Sequence, residues 1–219
     1  LAGLVAAREL AAQHDVLVLE GSPLLGGKLR TGEVAGVRVD VGAEAMLARR
    51  PEGVGLLDEL GLTPVHPTSA ASRLWVDGTL RPLPRSLMGV PMDLAALQQS
   101  GVLGLEAMEQ VRAEPHRRVP PPSGDVAVGD LVGERLGPEV VDRLVEPLLG
   151  GVYAGHAGEL STQAAVPQLL SMAREGSLVE AAAAVPRTDG PVFAGLEGGL
   201  GQLPDRLADT PGVSVRTAA

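Results

Sequence analysis

Two residue types placed at the ends of one short helix–strand unit could do the first recognisable chemistry in this sequence. Gly3 lies in an apolar helical pattern made by Leu1, Leu4, Val5 and Leu10 with interleaved alanines. The run Val16-Leu17-Val18-Leu19 that follows is continuous and aliphatic, as expected of a buried parallel strand, and Glu20 ends it. In a strand–turn–helix–strand unit of this kind, a helix N-terminus holds a dinucleotide pyrophosphate through its free N–H groups and positive dipole end. An acid about 20 residues beyond the glycines, at the end of the second strand, accepts from the ribose hydroxyls. Gly3 is placed as the last glycine of that fingerprint, whose first two would precede Leu1, and Glu20 as the acid. The same residues fit an ordinary α/β unit equally well, with Gly3 a plain helix glycine.

The segment after Glu20 adds a second chemical feature, Gly21-Ser22-Pro23-Leu24-Leu25-Gly26-Gly27-Lys28. Paired glycines let a backbone approach a diphosphate closely, and a lysine beside them supplies a neutralising charge. A P-loop frame fails here, because it would need glycine at Ser22 and a hydroxyl residue at Leu29. A glycine-rich turn carrying a solvated lysine is the plainer alternative. The run from Glu20 through Gly26-Gly27-Lys28-Leu29-Arg30-Thr31 resembles the second signature of the flavin amine oxidase superfamily. Further segments resemble one branch of it, the oxygen-dependent protoporphyrinogen/coproporphyrinogen III oxidases. They are Val39-Asp40-Val41-Gly42-Ala43-Glu44, Leu80-Arg81-Pro82-Leu83-Pro84, Glu146-Pro147-Leu148-Leu149-Gly150-Gly151-Val152-Tyr153-Ala154-Gly155, Leu160-Ser161, Val166-Pro167-Gln168-Leu169 and Leu196-Glu197-Gly198-Gly199-Leu200. They follow the family's order and cover most of the chain. The Glu146 to Gly155 run is specific to that branch; carotenoid desaturases and monoamine oxidases share only the N-terminal motifs.

The resemblance implies FAD as cofactor. Carried over residue by residue, Gly3 lies at the pyrophosphate, Glu20 at the adenosine ribose, Gly21 and Lys28 in the wrapping loop, and Gly42, Ala43, Glu44 and Ala45 beside the flavin ring. Ala45 would touch the ring through backbone alone. The implied activity is oxidation of coproporphyrinogen III to coproporphyrin III, or of protoporphyrinogen IX to protoporphyrin IX. Dioxygen would be the acceptor and hydrogen peroxide the product, in haem biosynthesis. Another flavin amine oxidase-like enzyme, such as a carotenoid desaturase, or a catalytically incompetent fragment is the alternative. Because the cofactor carries the chemistry, no catalytic residue is assigned. His14, His66, His116 and His156 are scattered without ligand spacing and read as surface residues, and no metal site is expected. Arg73, Arg81 and Arg85 are candidate partners for substrate carboxylates, although each taken singly reads as a solvated cation. The partners implied are a porphyrinogen and dioxygen, with the next enzyme of the haem pathway as a further candidate.

The elements that must position these residues read as an α/β fold. The resemblance then implies a Rossmann-like FAD-binding domain (1–65 and 190–219, incomplete) that carries an inserted β-hairpin region of the substrate-binding domain (66–90) and an inserted α-helical domain (91–189). Asp77-Gly78 between two short strands marks the hairpin. Pro51 opens a helix that Gly61 closes. Gly137-Pro138 divides two helices, Pro147 is expected to break the second, and a further break is expected from Pro186 to Pro191. The residues from 201 to 209 should form a helix and those from 213 a last strand.

Composition narrows the classes further. With 45% hydrophobic residues and one each of Trp, Tyr and Phe, the chain must build an aliphatic core. The absence of cysteine excludes disulfides, thiolate catalysis and Cys-based metal centres and fits the cytoplasm. A net charge of −9 argues against nucleic-acid binding. No apolar run approaches the roughly 18 residues of a membrane span. The block from 91 to 190 is amphipathic, with Glu106, Glu109 and Glu114, so membrane association is at most peripheral. A start without Met, inside an apolar helical pattern, and an end inside a strand pattern lead to the expectation that the chain is truncated at both ends.

Overall fold

The computed structural model describes residues 1–186 and 190–219. The chain divides into two compact units, Leu1–Ala70 with Asp189–Ala219, and Ala71–Thr188.

In the first unit the helix Ala2–Ala11 buries Leu4 and Ala7 and packs on the strand Val16–Glu20 and on the helix Leu203–Ala208. The strand Val16–Glu20 pairs in parallel with Val213–Thr217, from Val16 opposite Val213 to Glu20 opposite Thr217. The aliphatic run and the last strand of the sequence are therefore neighbours. A hairpin follows: Thr31–Val34 pairs antiparallel with Val37–Asp40. Its turn is Ala35-Gly36, both at positive φ. A small sheet joins Met46–Leu47 and Pro64–Val65 to the two halves of Phe193–Leu196. Pro51 starts the helix Pro51–Glu59, as its placement required. The core of this unit is Leu57, Leu196, Leu200 and Leu203, with Leu29, Met46, Leu60 and Leu62 packed against it.

The second unit unites a hairpin with helices. Arg73–Val76 pairs with Thr79–Pro82 around Asp77 and Gly78, at φ 49° and 75°, the two-residue turn with positive φ at both positions that the dipeptide favours. A second short ladder joins Ser86–Leu87 to Val90–Pro91. The helices include Leu94–Ser100, Leu105–Ala113, Val128–Leu136, Pro167–Glu175 and Leu178–Ala184. Gly137 ends one helix and Pro138 begins the next, as expected.

Pro147 departs from expectation, because the helical path runs unbroken from Pro138 to Tyr153. A π-helical turn, Val141–Val145, precedes the α segment Glu146–Tyr153 and leaves Pro147 in that segment's first turn. A proline there has no N–H to leave unpaired, and the wider turn before it makes room for its ring. The break expected around Pro186 falls largely on residues outside those described. The core is aliphatic throughout, centred on Leu97, Val111, Leu136, Leu144, Leu149, Leu169 and Leu178. Trp75, Tyr153 and Phe193 are all exposed. Among the described residues no helix is long and apolar enough to cross a membrane.

Candidate functional site

Glu20 stands at the end of its strand and folds back on the turn that follows. Its Oε1 accepts the Ser22 N–H at 2.9 Å. That bond holds the carboxyl below the usual carboxylate range, opposed by partial desolvation and helped by the charges of Arg30 and of the Leu1 amino group. The helix Ala2–Ala11 has no side-chain cap at its N-terminus, so its first N–H groups keep their donor capacity. Gly3 is exposed in the first turn. A Cβ built there meets nothing within 4 Å, so packing inside this chain does not demand glycine at that position.

The loop from Gly21 to Lys28 is pinned at several points. The Ser22 hydroxyl donates to the Leu24 carbonyl. The Arg30 guanidinium donates to the carbonyls of Leu25 at 2.6 Å and Leu24 at 3.3 Å. Gly26 is buried at φ 101° and a Cβ there would lie 2.6 Å from Cγ of Pro204. Glycine is thus imposed twice, by backbone conformation and by the helix Leu203–Ala208 against it. Gly21, Gly27 and Lys28 are exposed, and no described carboxylate lies within salt-bridge distance of the Lys28 ammonium.

Gly42-Ala43-Glu44-Ala45, all exposed, meets this loop directly. The Ala43 N–H donates to the Lys28 carbonyl at 2.9 Å and the Val41 N–H to the Arg30 carbonyl at 2.9 Å. A Cβ on Gly42 would collide with that same Lys28 carbonyl. The structure therefore brings Lys28 together with Gly42 and Ala43, and Glu20 together with the Gly21–Ser22 turn. Glu44 and Ala45 continue the same exposed strip.

Two supporting residues escaped the sequence reading. Asp40 sends its carboxylate across the unit to the Gly198-Gly199 turn, accepting from the Leu200 N–H at 2.8 Å and the Gly201 N–H at 3.2 Å. It caps the short helical turn Leu200–Gln202 from 160 residues away and so fixes the strand that delivers Gly42. Arg30 is the other, as the clamp on Leu24 and Leu25. Local spacing carries no signal for either partner.

The remaining candidates lie in the second unit. Arg73 and Arg85 are exposed, as solvated cations should be. Arg81 is not: it is half-buried, its guanidinium lies against Gly101, where a Cβ would be 3.1 Å from it, and its Nε is shielded without a hydrogen-bond partner. The run from Glu146 to Gly155 closes a helix end. Glu146 accepts the Ala157 N–H at 2.9 Å and the Tyr153 hydroxyl donates to the Ala165 carbonyl at 2.8 Å. His156 is exposed, 3.9 Å from the Glu146 carboxylate.

The family model described as flavin containing amine oxidoreductase matches residues 1–219. The chain belongs to this family. Among flavin-containing amine oxidoreductases it is similar to the coproporphyrinogen III oxidase of Mycobacterium tuberculosis (strain ATCC 25618 / H37Rv), 38% identical over 200 residues covering 88% of this chain and 44% of the relative. The chloroplastic protoporphyrinogen oxidase of Oryza sativa subsp. japonica is 30% identical over 99% of this chain and 44% of its own length. In three dimensions the chain resembles a crystal structure, provisionally named a protoporphyrinogen oxidase, from Exiguobacterium sp. 255-15. The TM-score is 0.82 at 30% identity, covering 99% of this chain and 50% of that one. Putrescine oxidase shares the fold at a TM-score of 0.60 and 19% identity, over 97% of this chain and 48% of that one. The chain spans about half the length of the relatives it matches.

Proposed function

We propose that the strip from Glu20 through Lys28 to Ala45 is the chain's share of an FAD site, and that the whole protein oxidises coproporphyrinogen III to coproporphyrin III with dioxygen as acceptor. The observation that carries the site is the meeting of Lys28 with Gly42 at the Ala43–Lys28 hydrogen bond of 2.9 Å. It sets the Lys28 main chain against the exposed backbone of Gly42 and Ala43, and no described carboxylate lies within salt-bridge distance of the Lys28 ammonium. The helix Ala2–Ala11 and its two parallel strands are read as part of a Rossmann-type sheet. In that reading the donors at the start of the helix face the pyrophosphate, and the open space at Gly3 lets the diphosphate approach the backbone. Glu20 keeps an ionised carboxylate for the ribose hydroxyls, since its bond from the Ser22 N–H favours the charged form. Lys28 offsets phosphate charge, and Gly42 to Ala45 offer main-chain groups to the ring. Bound flavin would accept the hydride that leaves the porphyrinogen; the residues here bind and orient it.

The substrate is assigned from relatives at 38% identity that carry the name coproporphyrinogen III oxidase; protoporphyrinogen IX is the second choice. The setting that goes with this reading is the cytoplasm. The protein expressed with the flanking lengths of its relatives should purify with flavin absorption bands near 375 and 450 nm, roughly as for any bound flavin. It should also generate porphyrin fluorescence from added coproporphyrinogen III. Gly3→Val should lose the flavin bands while keeping the circular dichroism of the parent. A colourless parent protein defeats the FAD reading, and a flavoprotein that leaves both porphyrinogens untouched defeats the substrate assignment.

A further inference from the structure

The second unit holds a cleft of about 290 Å³ that the flavin reading does not use, lined by Arg117, Arg118, Arg174 and Arg135 among others. Four arginines line it in a chain of net charge −9. Their roles differ. Arg135 is buried and spent: it donates to the carbonyls of Gly176 and Ala173, both at 2.7 Å, and lies 3.6 Å from the buried Glu114. Glu114 is spent too, accepting from the Ser177 hydroxyl and from the N–H groups of Leu178 and Val179. This pair cancels its own charge and makes a rigid floor.

The other three guanidiniums are exposed. Arg117 is held in place by the carbonyls of Arg135 at 3.0 Å and Glu134 at 3.2 Å. These are among the last carbonyls of the helix Val128–Leu136, whose negative end offsets part of the charge, while no described carboxylate pairs with it. Arg174 has one long contact, to the Gly124 carbonyl at 3.5 Å, and Arg118 has no hydrogen bond or ion pair among the described residues. No described carboxylate lies within 4.0 Å of any of the three guanidiniums. Besides Glu114, the only acid in the lining is Glu175. Pro115 and Pro121 in the same lining stiffen the segment that presents Arg117 and Arg118. Like charges gathered at one cleft repel and persist at a cost unless something of opposite sign comes there. The planar fork of arginine matches carboxylate and phosphate oxygens. The volume is at the small end for ligand pockets, so a compact group fits and a dinucleotide does not.

We propose that this cleft is a binding site for a small multivalent oxyanion, of the diphosphate or polycarboxylate class, held by Arg117, Arg118 and Arg174. Its residues belong to the second unit, and those of the flavin strip to the first.

Isothermal titration of the chain with inorganic pyrophosphate and, separately, with citrate tests the proposal and distinguishes the two chemistries. Saturable binding with one site per chain is expected for at least one of them. The double variant Arg118→Gln/Arg174→Gln should weaken it at least tenfold while keeping the parent's circular dichroism. Arg112→Gln, whose guanidinium is engaged by Gln98 at 2.5 Å outside the cleft lining, serves as the control for general charge. Lys28→Ala is the control for binding in the flavin strip. Absence of saturable binding by both probes overturns the proposal. So does a loss on Arg112→Gln equal to that of the double variant, or a loss on Lys28→Ala with the double variant unaffected.

Discussion

Replacing Asp40 by alanine should loosen a structure that begins 160 residues further along the chain. Its carboxylate is the acceptor for two amides at the start of the Leu200–Gln202 turn, at 2.8 and 3.2 Å. Capping side chains contribute roughly 1 kcal/mol when tested by alanine replacement, with a range of about 0.5–2, and hydrogen bonds to a charged group about 1.5–3 kcal/mol. The Gly201 bond is long and Asp40 is only half-buried, so the expected loss is about 1–2 kcal/mol. That corresponds to an opening equilibrium shifted by a factor of about 5 to 30. Hydrogen exchange read by mass spectrometry on fragments spanning residues 196–208 measures it where it occurs. Global unfolding would mix two units and is not two-state by default. Amide exchange across Leu200 and Gly201 should accelerate by that factor in Asp40→Ala, and Asp40→Asn, which has one acceptor oxygen for two N–H groups that bond different carboxylate oxygens, should recover only part of it. Fragments from the second unit should exchange as in the parent. Unchanged exchange at Leu200 and Gly201 would refute the capping argument.

The remaining predictions concern the site and the second unit. Gly42→Ala forces a methyl into the Lys28 carbonyl; FAD affinity measured by flavin fluorescence quenching should fall at least tenfold with far-ultraviolet dichroism retained. Glu20 has its carboxyl pKa lowered by the hydrogen bond from the Ser22 N–H. Its contribution to the 20–22 turn is therefore complete above the ordinary carboxyl value of 4.5 and disappears as pH falls through the lower folded value. Denaturant melts from pH 7 to pH 3 should show this acid loss in the parent and not in Glu20→Gln. Glu114→Ala leaves Arg135, 5% exposed, as a buried charge without its partner, which costs about 3–5 kcal/mol. A drop in the denaturation midpoint corresponding to less than about 1 kcal/mol would show that water reaches Arg135 as readily as Glu114 does.

What could be read directly from the sequence was local in origin. The parallel strand Val16–Glu20, the Asp77-Gly78 turn and the proline-opened helix Pro51–Glu59 follow from side-chain period and φ preference over a few residues. The aliphatic core followed from composition. Where local rules failed, a neighbouring turn had changed the conditions: Pro147 is harmless because the π-helical turn before it widens the path. Arg81 is shielded because Gly101, twenty residues along, leaves room for its guanidinium. The candidate cofactor residues could be named from the glycine, acid and lysine pattern and from the family it resembles. Their arrangement could not. The sequence by itself determined which residues carry acid, cation and bare backbone. Only the tertiary structure decided that Lys28 meets Gly42, that Asp40 caps Leu200, and that Arg117, Arg118 and Arg174 share one cleft. Those pairings depend on chain reversals tens to hundreds of residues apart, and a residue's own propensity says nothing about which distant amide or carbonyl the fold will set beside it.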